Sequence, residues 1–310
     1  MDSHTRARES RQGILFVAAA AVLWGTVGIA TQAIYHQSQL TAVAVGFYRL
    51  AFAFPVVALF CWQRLGRSIL RVGWRHYGTM ALIGVMLALY QVFFFAAIGD
   101  VGVAVATLVT LCTAPVLVAL LSVVFLKERP TGFTVLALLA ALAGTALLVG
   151  FPAAAAAQGH IFRGVALALG SATGYAIVTL VGRGLSATCH PLHSTTVAFG
   201  TGALFLFPLA AGNLFASSYG PAIWGLIGYV GLLPTAVAYT FFFLGMRSIR
   251  ASTASILTLL EPLTATILAW LVFDERLAPS GMLGALLLLG ALAILYRGES
   301  LRRGELPGTV

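Results

Sequence analysis

A chain of 310 residues that is 60% hydrophobic and 9% charged, with a mean hydropathy of +0.98, carries more apolar surface than a water-soluble core of that size needs. These figures exclude a soluble globular domain and a disordered chain. The net charge of +9 admits nucleic acid or anionic headgroups as partners, and the placement of the charges decides between them.

A span across about 30 Å of hydrocarbon needs roughly 20 apolar residues. In chain order, such runs occur at 13–33, 41–62, 77–98, 102–125, 132–151, 161–182, 194–212, 221–245, 252–273 and 278–296. Lipid offers no partners to backbone N–H and C=O groups, so the runs are predicted helices; the short alternating strands of a barrel are missing. Arg6, Arg8 and Arg11 ahead of the first run imitate a signal peptide. That run is longer than an h-region of about 7–15 residues, and it is read as a retained first span.

One stretch is written twice. Ala114-Pro115 leads through an apolar helix to Lys127-Glu128-Arg129, and Glu261-Pro262 leads through another to Asp274-Glu275-Arg276. A Gly-containing apolar helix follows each. Phe54-Pro55 near the end of span 2 is echoed by Phe207-Pro208 near the end of span 7. A repeat halfway along a membrane chain points to a transporter of two related halves. The predicted organisation is a tail of residues 1–12, a five-helix repeat over 13–152, a linker over 153–160 containing Ala153–Ala157, a second five-helix repeat over 161–297, and a tail over 298–310. Five spans is an odd number, so the halves are inverted. With the N-terminus inside, every Arg and the lone Lys fall on the inner side except Arg163 and Arg276 outside and Arg49 within span 2. That is the positive-inside bias; it gives N-in/C-in topology and assigns the basic charge to the bilayer rather than to nucleic acid.

Pro55, Pro115, Pro208 and Pro262 each free a carbonyl and are candidate hinges or kinks; Pro115 and Pro262 are predicted to make facing bends. Plain packing kinks are the alternative. Gly25, Gly28, Gly170, Gly174, Gly225, Gly228 and Gly231 mark faces for close helix approach. Ionisable residues inside spans are expensive and therefore informative. Glu261 is a candidate for a substrate ammonium or a coupling proton, against a structural carboxyl. Arg49 is a candidate for a substrate carboxylate or for an ion pair with Glu261. Asp100, in the turn after span 3, reads as solvated or capping. Trp24, Tyr48, Tyr90, Tyr175 and Tyr239 lie within spans rather than in the interfacial belts. Together with Gln91, Thr110, Thr179, Thr258 and Thr264 they suggest a polar-lined central cavity for amphipathic, aromatic or cationic molecules.

Other chemistries are excluded or weak. The only lysine, Lys127, follows Leu126, so there is no G-x-x-x-x-G-K-[ST] phosphate loop. There is no G-x-S-x-G elbow and no facing pair of intramembrane aspartates, so no catalytic residue is assigned and an enzyme is not expected. Cys189-His190-Pro191-Leu192-His193 does not follow a zinc spacing, and no metal or cofactor is expected. Cys61, Cys112 and Cys189 are scattered and read as small packing residues.

Trp24-Gly25, Pro115 through Glu128-Arg129, Glu261-Pro262 and Phe273-Asp274-Glu275-Arg276-Leu277 resemble the two repeats of the drug/metabolite transporter superfamily, EamA branch, over residues 13–297. Ala114 stands where the second repeat has Glu261. The resemblance implies an all-α polytopic membrane protein with ten helices in two inverted repeats around a central cavity. It implies a multi-pass protein of the bacterial inner membrane, compatible with a monomer, that exports amino acids or related small metabolites by alternating access. Protons are a candidate coupling ion. The intramembrane aromatics suit the branch that exports aromatic amino acids and paraquat. Alternatives are cationic drugs, phosphorylated or nucleotide-sugar metabolites, and a passive channel.

Overall fold

The computed structural model describes residues 3–66, 73–128, 130–149, 161–186, 188–214, 219–273 and 279–304. Among them it is all-helical. Helices α1 (Ser3–Gly25), α2 (Val27–Gln37), α3 (Ala42–Leu65), α4 (Trp74–Phe125) and α5 (Gly132–Val149) form the first half. Helices α6 (Ile161–Ser186), α7 (Pro191–Leu214), α8 (Pro221–Gly231), a π-helical turn (Leu232–Val237), α9 (Ala238–Gly245), α10 (Ala251–Leu257), α11 (Leu260–Phe273) and α12 (Pro279–Gly304) form the second.

Nine helical stretches among the described residues are long and apolar enough to cross a membrane, and Gly132–Leu148 is a shorter apolar helix in the place of span 5. Large apolar side chains such as Leu15, Leu59, Phe60, Val124, Leu204, Leu271 and Leu286 are exposed, while Arg49, Gln91, Ser171, Thr179, Thr235 and Thr258 are buried. In water that distribution is inverted; in lipid it is the expected one. The protein is a polytopic membrane protein.

Helix α4 holds two spans, Trp74–Ala97 and Val105–Phe125. Straight, its 52 residues would reach about 78 Å, more than twice the hydrocarbon thickness. The chain reverses instead. Ser171 Oγ of α6 donates to the Tyr90 carbonyl at 2.9 Å, and Thr110 Oγ1 donates to the Ala168 carbonyl at 3.2 Å. Positions 90 and 110 therefore meet α6 only three residues apart, and the two spans run side by side.

Helix α6 packs on α4, α3 on α7, α5 on α12, and α1 on α9 and α11. The α5–α12 contact is backbone to backbone. A Cβ on Gly144 would stand 2.8 Å from the Gly284 carbonyl, and one on Gly284 would stand 2.6 Å from the Gly144 carbonyl. Gly25, Gly170, Gly174 and Gly231 likewise sit at close contacts, with Thr264, Phe93, Tyr90 and Phe52. Gly28, Gly225 and Gly228 have nothing within 4 Å of a built Cβ, so they are not packing faces in this conformation.

Three spans are interrupted near the middle of the bundle. Span 1 breaks at Thr26, whose Oγ1 donates to the Leu23 carbonyl at 2.7 Å. The eighth span widens into the π-helical turn around Pro234. The ninth breaks at Thr258–Leu259, so Pro262 falls in the first turn of α11, where its missing N–H costs no helical bond. Pro55, Pro115 and Pro208 lie inside helices that continue through them. The matched prolines 115 and 262 thus act differently, one within a helix and one at a helix start. Asp274-Glu275-Arg276 and the 153–160 linker lie outside the described residues.

Ion pairs fasten both ends of α6. Arg163 Nε donates to Asp100 Oδ2 at 2.7 Å and Nη2 to Oδ1. Asp100 is buried, which corrects its reading as a solvated turn residue: α6 begins directly against it, with Gly164 packed on the Asp100 Cβ. At the other end Glu128 lies 3.3 Å from Arg183 Nε and accepts the Ala251 N–H at 3.0 Å. The repeated Glu-Arg turn thus places a carboxylate on the N-terminus of α10, where the helix dipole favours it.

Candidate functional site

The interruptions surround one polar core, to which both halves contribute. Tyr90 of α4 and Tyr239 of α9 share a hydrogen bond between their hydroxyls at 2.6 Å. The Tyr175 ring lies edge-on to Tyr90 at 6.0 Å, and its hydroxyl donates to Thr258 Oγ1 at 3.2 Å, at the break in the ninth span. The Trp24 ring packs at 4.9 Å from Tyr239 and 5.2 Å from Phe242; its indole N–H is buried and has no acceptor among the described residues. A buried indole N–H normally finds a partner, so this one is an orphan donor beside the tyrosines.

Two charged side chains stand at this core. Glu261 occupies the first turn of α11, where the helix N-terminus favours a carboxylate. It is half-buried, and Tyr90, Tyr175 and Arg49 are within its electrostatic reach. A Cβ on Gly25 would stand 2.7 Å from the Glu261 carbonyl, so the smallness of Gly25 lets α1 close against this turn. Arg49 is 7% exposed. Its Nε donates to Thr235 Oγ1 at 3.2 Å and its Nη1 to Gln91 Oε1 at 3.3 Å. Arg49 is therefore held by neutral acceptors and not in direct contact with Glu261. Gln91 is oriented by its own Nε2, which donates to the Leu87 carbonyl at 3.1 Å. Thr235 is aimed by the π-helical turn, from which its hydroxyl reaches the Val230 carbonyl at 2.7 Å. π-helical turns recur at functional sites because they displace a side chain from the regular register.

Of the residues singled out from the sequence, Trp24, Tyr90, Gln91, Tyr175, Tyr239, Glu261 and Arg49 form this group. Thr179 flanks it; its hydroxyl is spent on the Tyr175 carbonyl at 3.0 Å. Tyr48 lies elsewhere. Its hydroxyl donates to the Leu214 carbonyl, and its ring belongs to a cluster with Phe47, Phe52 and Trp224. Sequence reasoning missed Thr235, Ser171 and the Phe242 floor under Trp24. A threonine directly after Pro234 carries no signal by itself; only the π-helical turn gives it a role. His190 Nδ1 accepts the Leu192 N–H at 3.3 Å, and burial together with Arg247 holds its imidazole below the ordinary value. His193 packs edge-on against Tyr77. Its buried Nε2 has no hydrogen-bond partner among the described residues.

An all-helical membrane bundle with a polar, aromatic core shared by two halves and fed by broken helices defines a membrane transport protein. The chain matches the model of the EamA-like transporter family over residues 11–150 and again over 162–297, and it belongs to that family, within the drug/metabolite transporter superfamily. It is 34% identical to the uncharacterized transporter YwfM of Bacillus subtilis (strain 168), over 90% of this chain and 92% of the relative. An uncharacterized transporter of Archaeoglobus fulgidus is 32% identical over 93% of this chain and 97% of its own length. The uncharacterized inner membrane transporter YicL of Salmonella typhimurium is 30% identical over 96% and 98%. A solved crystal structure shares the fold with a TM-score of 0.77 at 21% identity, covering 91% of this chain and 96% of that one. The protein is a transporter with a small-molecule substrate, not an enzyme.

Proposed function

We propose that this transporter is a secondary carrier that exports amino acids or related small metabolites, aromatic ones among them, across the bacterial inner membrane by alternating access. The observation that carries the reading is the Tyr90–Tyr239 bond and its surroundings. Arg49, Tyr90 and Gln91 come from one half, Tyr175, Thr235, Tyr239 and Glu261 from the other. A site shared by two halves can open to either side as they rock, while the residues that hold the cargo stay at the centre. The charge bias along the sequence supports N-in/C-in topology and inverted halves. Two opposite charges with aromatic faces between them suit a small zwitterion. Glu261 is the candidate carrier of a coupling proton.

Counterflow in proteoliposomes tests this. Liposomes preloaded with unlabelled amino acid and given labelled tryptophan, threonine or methionine outside, without an ion gradient, should accumulate label saturably. Absence of counterflow across the panel, with folded protein present, overturns the amino-acid assignment. A second cargo, organic cations, is favoured by Glu261 beside Tyr90, Tyr175 and Trp24; competition of a dication against labelled tryptophan separates it. Phosphorylated metabolites would want several cations in the core, and Arg49 is the deep one.

A further inference from the structure

Arg49 is a buried charged group whose hydrogen-bonding fork is only partly filled. A guanidinium has five N–H donors in a planar fork. Here Nε is used by Thr235 and Nη1 by Gln91. Three donors therefore have no acceptor among the described residues, on a side chain more than nine-tenths buried. Buried charges are normally met by an opposite charge. The described ion pairs are Arg163–Asp100 and Arg183–Glu128, so none serves Arg49. Nor is the guanidinium loosely placed. Span 2 supplies it, Gln91 grips it from span 3, and Thr235 grips it from the π-helical turn. A Cβ on Gly231 would stand 2.7 Å from the Phe52 Cβ and 3.4 Å from the Arg49 carbonyl, which shows how closely spans 2 and 8 are packed there. Gln91 and Thr235 are spent on orienting Arg49 without neutralising it. That leaves a rigid, net-positive fork turned to a core where Tyr90, Tyr239 and Glu261 lie within its electrostatic reach.

We infer that Arg49, set by Gln91 and Thr235, is the docking point for a carboxylate of the transported molecule. The inference rests on the central site being the transport site, as proposed above. A carboxylate completes the fork with two parallel N–H···O bonds and supplies the missing counter-charge. Gln91 and Thr235 are positioning residues. Glu261 and the aromatic faces take the remainder of the cargo.

The test uses the full chain in detergent and three probes that share a ring: L-phenylalanine, phenethylamine, which lacks the carboxylate, and 3-phenylpropionate, which lacks the ammonium. Binding is read from ligand-dependent shifts of the thermal unfolding midpoint. Wild type should bind both carboxylates, with phenethylamine on the order of tenfold weaker or worse. Arg49→Gln should abolish that preference, and Arg49→Lys should keep part of it. Without ligand, Arg49→Gln should unfold at the wild-type temperature or above, because it removes a buried charge that has no direct ion-pair partner among the described residues; an arginine kept only for structure would lose stability. The inference is overturned if phenethylamine binds wild type as tightly as phenylalanine, if none of the three binds folded protein, or if Arg49→Gln keeps the carboxylate preference. Phenylpropionate binding without any amino-acid counterflow would retain the subsite and remove the amino-acid cargo. Counterflow with an unchanged carboxylate preference in Arg49→Gln would do the reverse.

Discussion

At the scale of single residues, the 2.6 Å bond between the Tyr90 and Tyr239 hydroxyls is one of the ties between the halves. Tyr239 is almost wholly buried, so Tyr90→Phe leaves its hydroxyl without a partner. The expected loss is about 1–3 kcal/mol, read by thermal or denaturant unfolding in detergent. Tyr90→Phe with Tyr239→Phe should cost less than the sum of the single changes, because both partners are then gone. Additive losses would show that the hydroxyls do not couple. Glu261 carries a separate prediction. If it holds the transported proton, Glu261→Gln removes the pH dependence of flux and leaves substrate exchange intact; unchanged pH dependence sinks that role. Much of the core was legible from depth alone: a tyrosine, glutamate or arginine in mid-span must be met by something polar. Tyr48 satisfied the same criterion yet sits in another aromatic cluster, because depth does not tell which face of a helix points inward. Thr235 was illegible, since its role depends on a π-helical turn that displaces it toward Arg49.

Among the elements, the interruptions at Thr26, Leu232–Val237 and Thr258–Leu259 adjoin the polar core, while the long uninterrupted helices form its walls. One close wall contact joins α5 and α12. Gly144 and Gly284 place α5 and α12 backbone against backbone, and no side chain can move aside to admit a larger residue. Gly144→Leu should therefore destabilise by about 1–3 kcal/mol. Gly290→Leu on α12, where nothing lies within 4 Å, should stay within about 0.5 kcal/mol of wild type. Equal losses at both would show that helix propensity, not close approach, decides. Spans could be read from the sequence because lipid demands long apolar runs. The breaks could not be read as reliably. Pro115 sits inside continuous α4, and span 1 breaks at Thr26 without any proline. The partner of the 261–276 motif was visible as text, but the reason for its Glu-Arg turn was not. Only the fold brings Glu128 to the N-terminus of α10 and to Arg183.

For the whole molecule, the family match falls once on each half, and the polar core takes residues from both. The sequence echoes itself again in Phe93-Phe94-Phe95 and Phe241-Phe242-Phe243, on α4 and α9, the two helices that supply Tyr90 and Tyr239. In the proposed account the ion pairs at the two ends of α6 hold its ends to α4 and to the α4–α5 turn while the core exchanges sides. A carrier of this design binds its cargo before it can turn over, whereas a channel does not. The most direct measurement is trans-acceleration in proteoliposomes: the rate of labelled substrate efflux with and without unlabelled substrate outside, beside a planar-bilayer current recording. The account predicts that outside substrate speeds efflux, that the effect saturates, and that no unitary currents appear. Efflux that ignores outside substrate and rises linearly with concentration, accompanied by unitary currents, would contradict it and make the protein a passive pore.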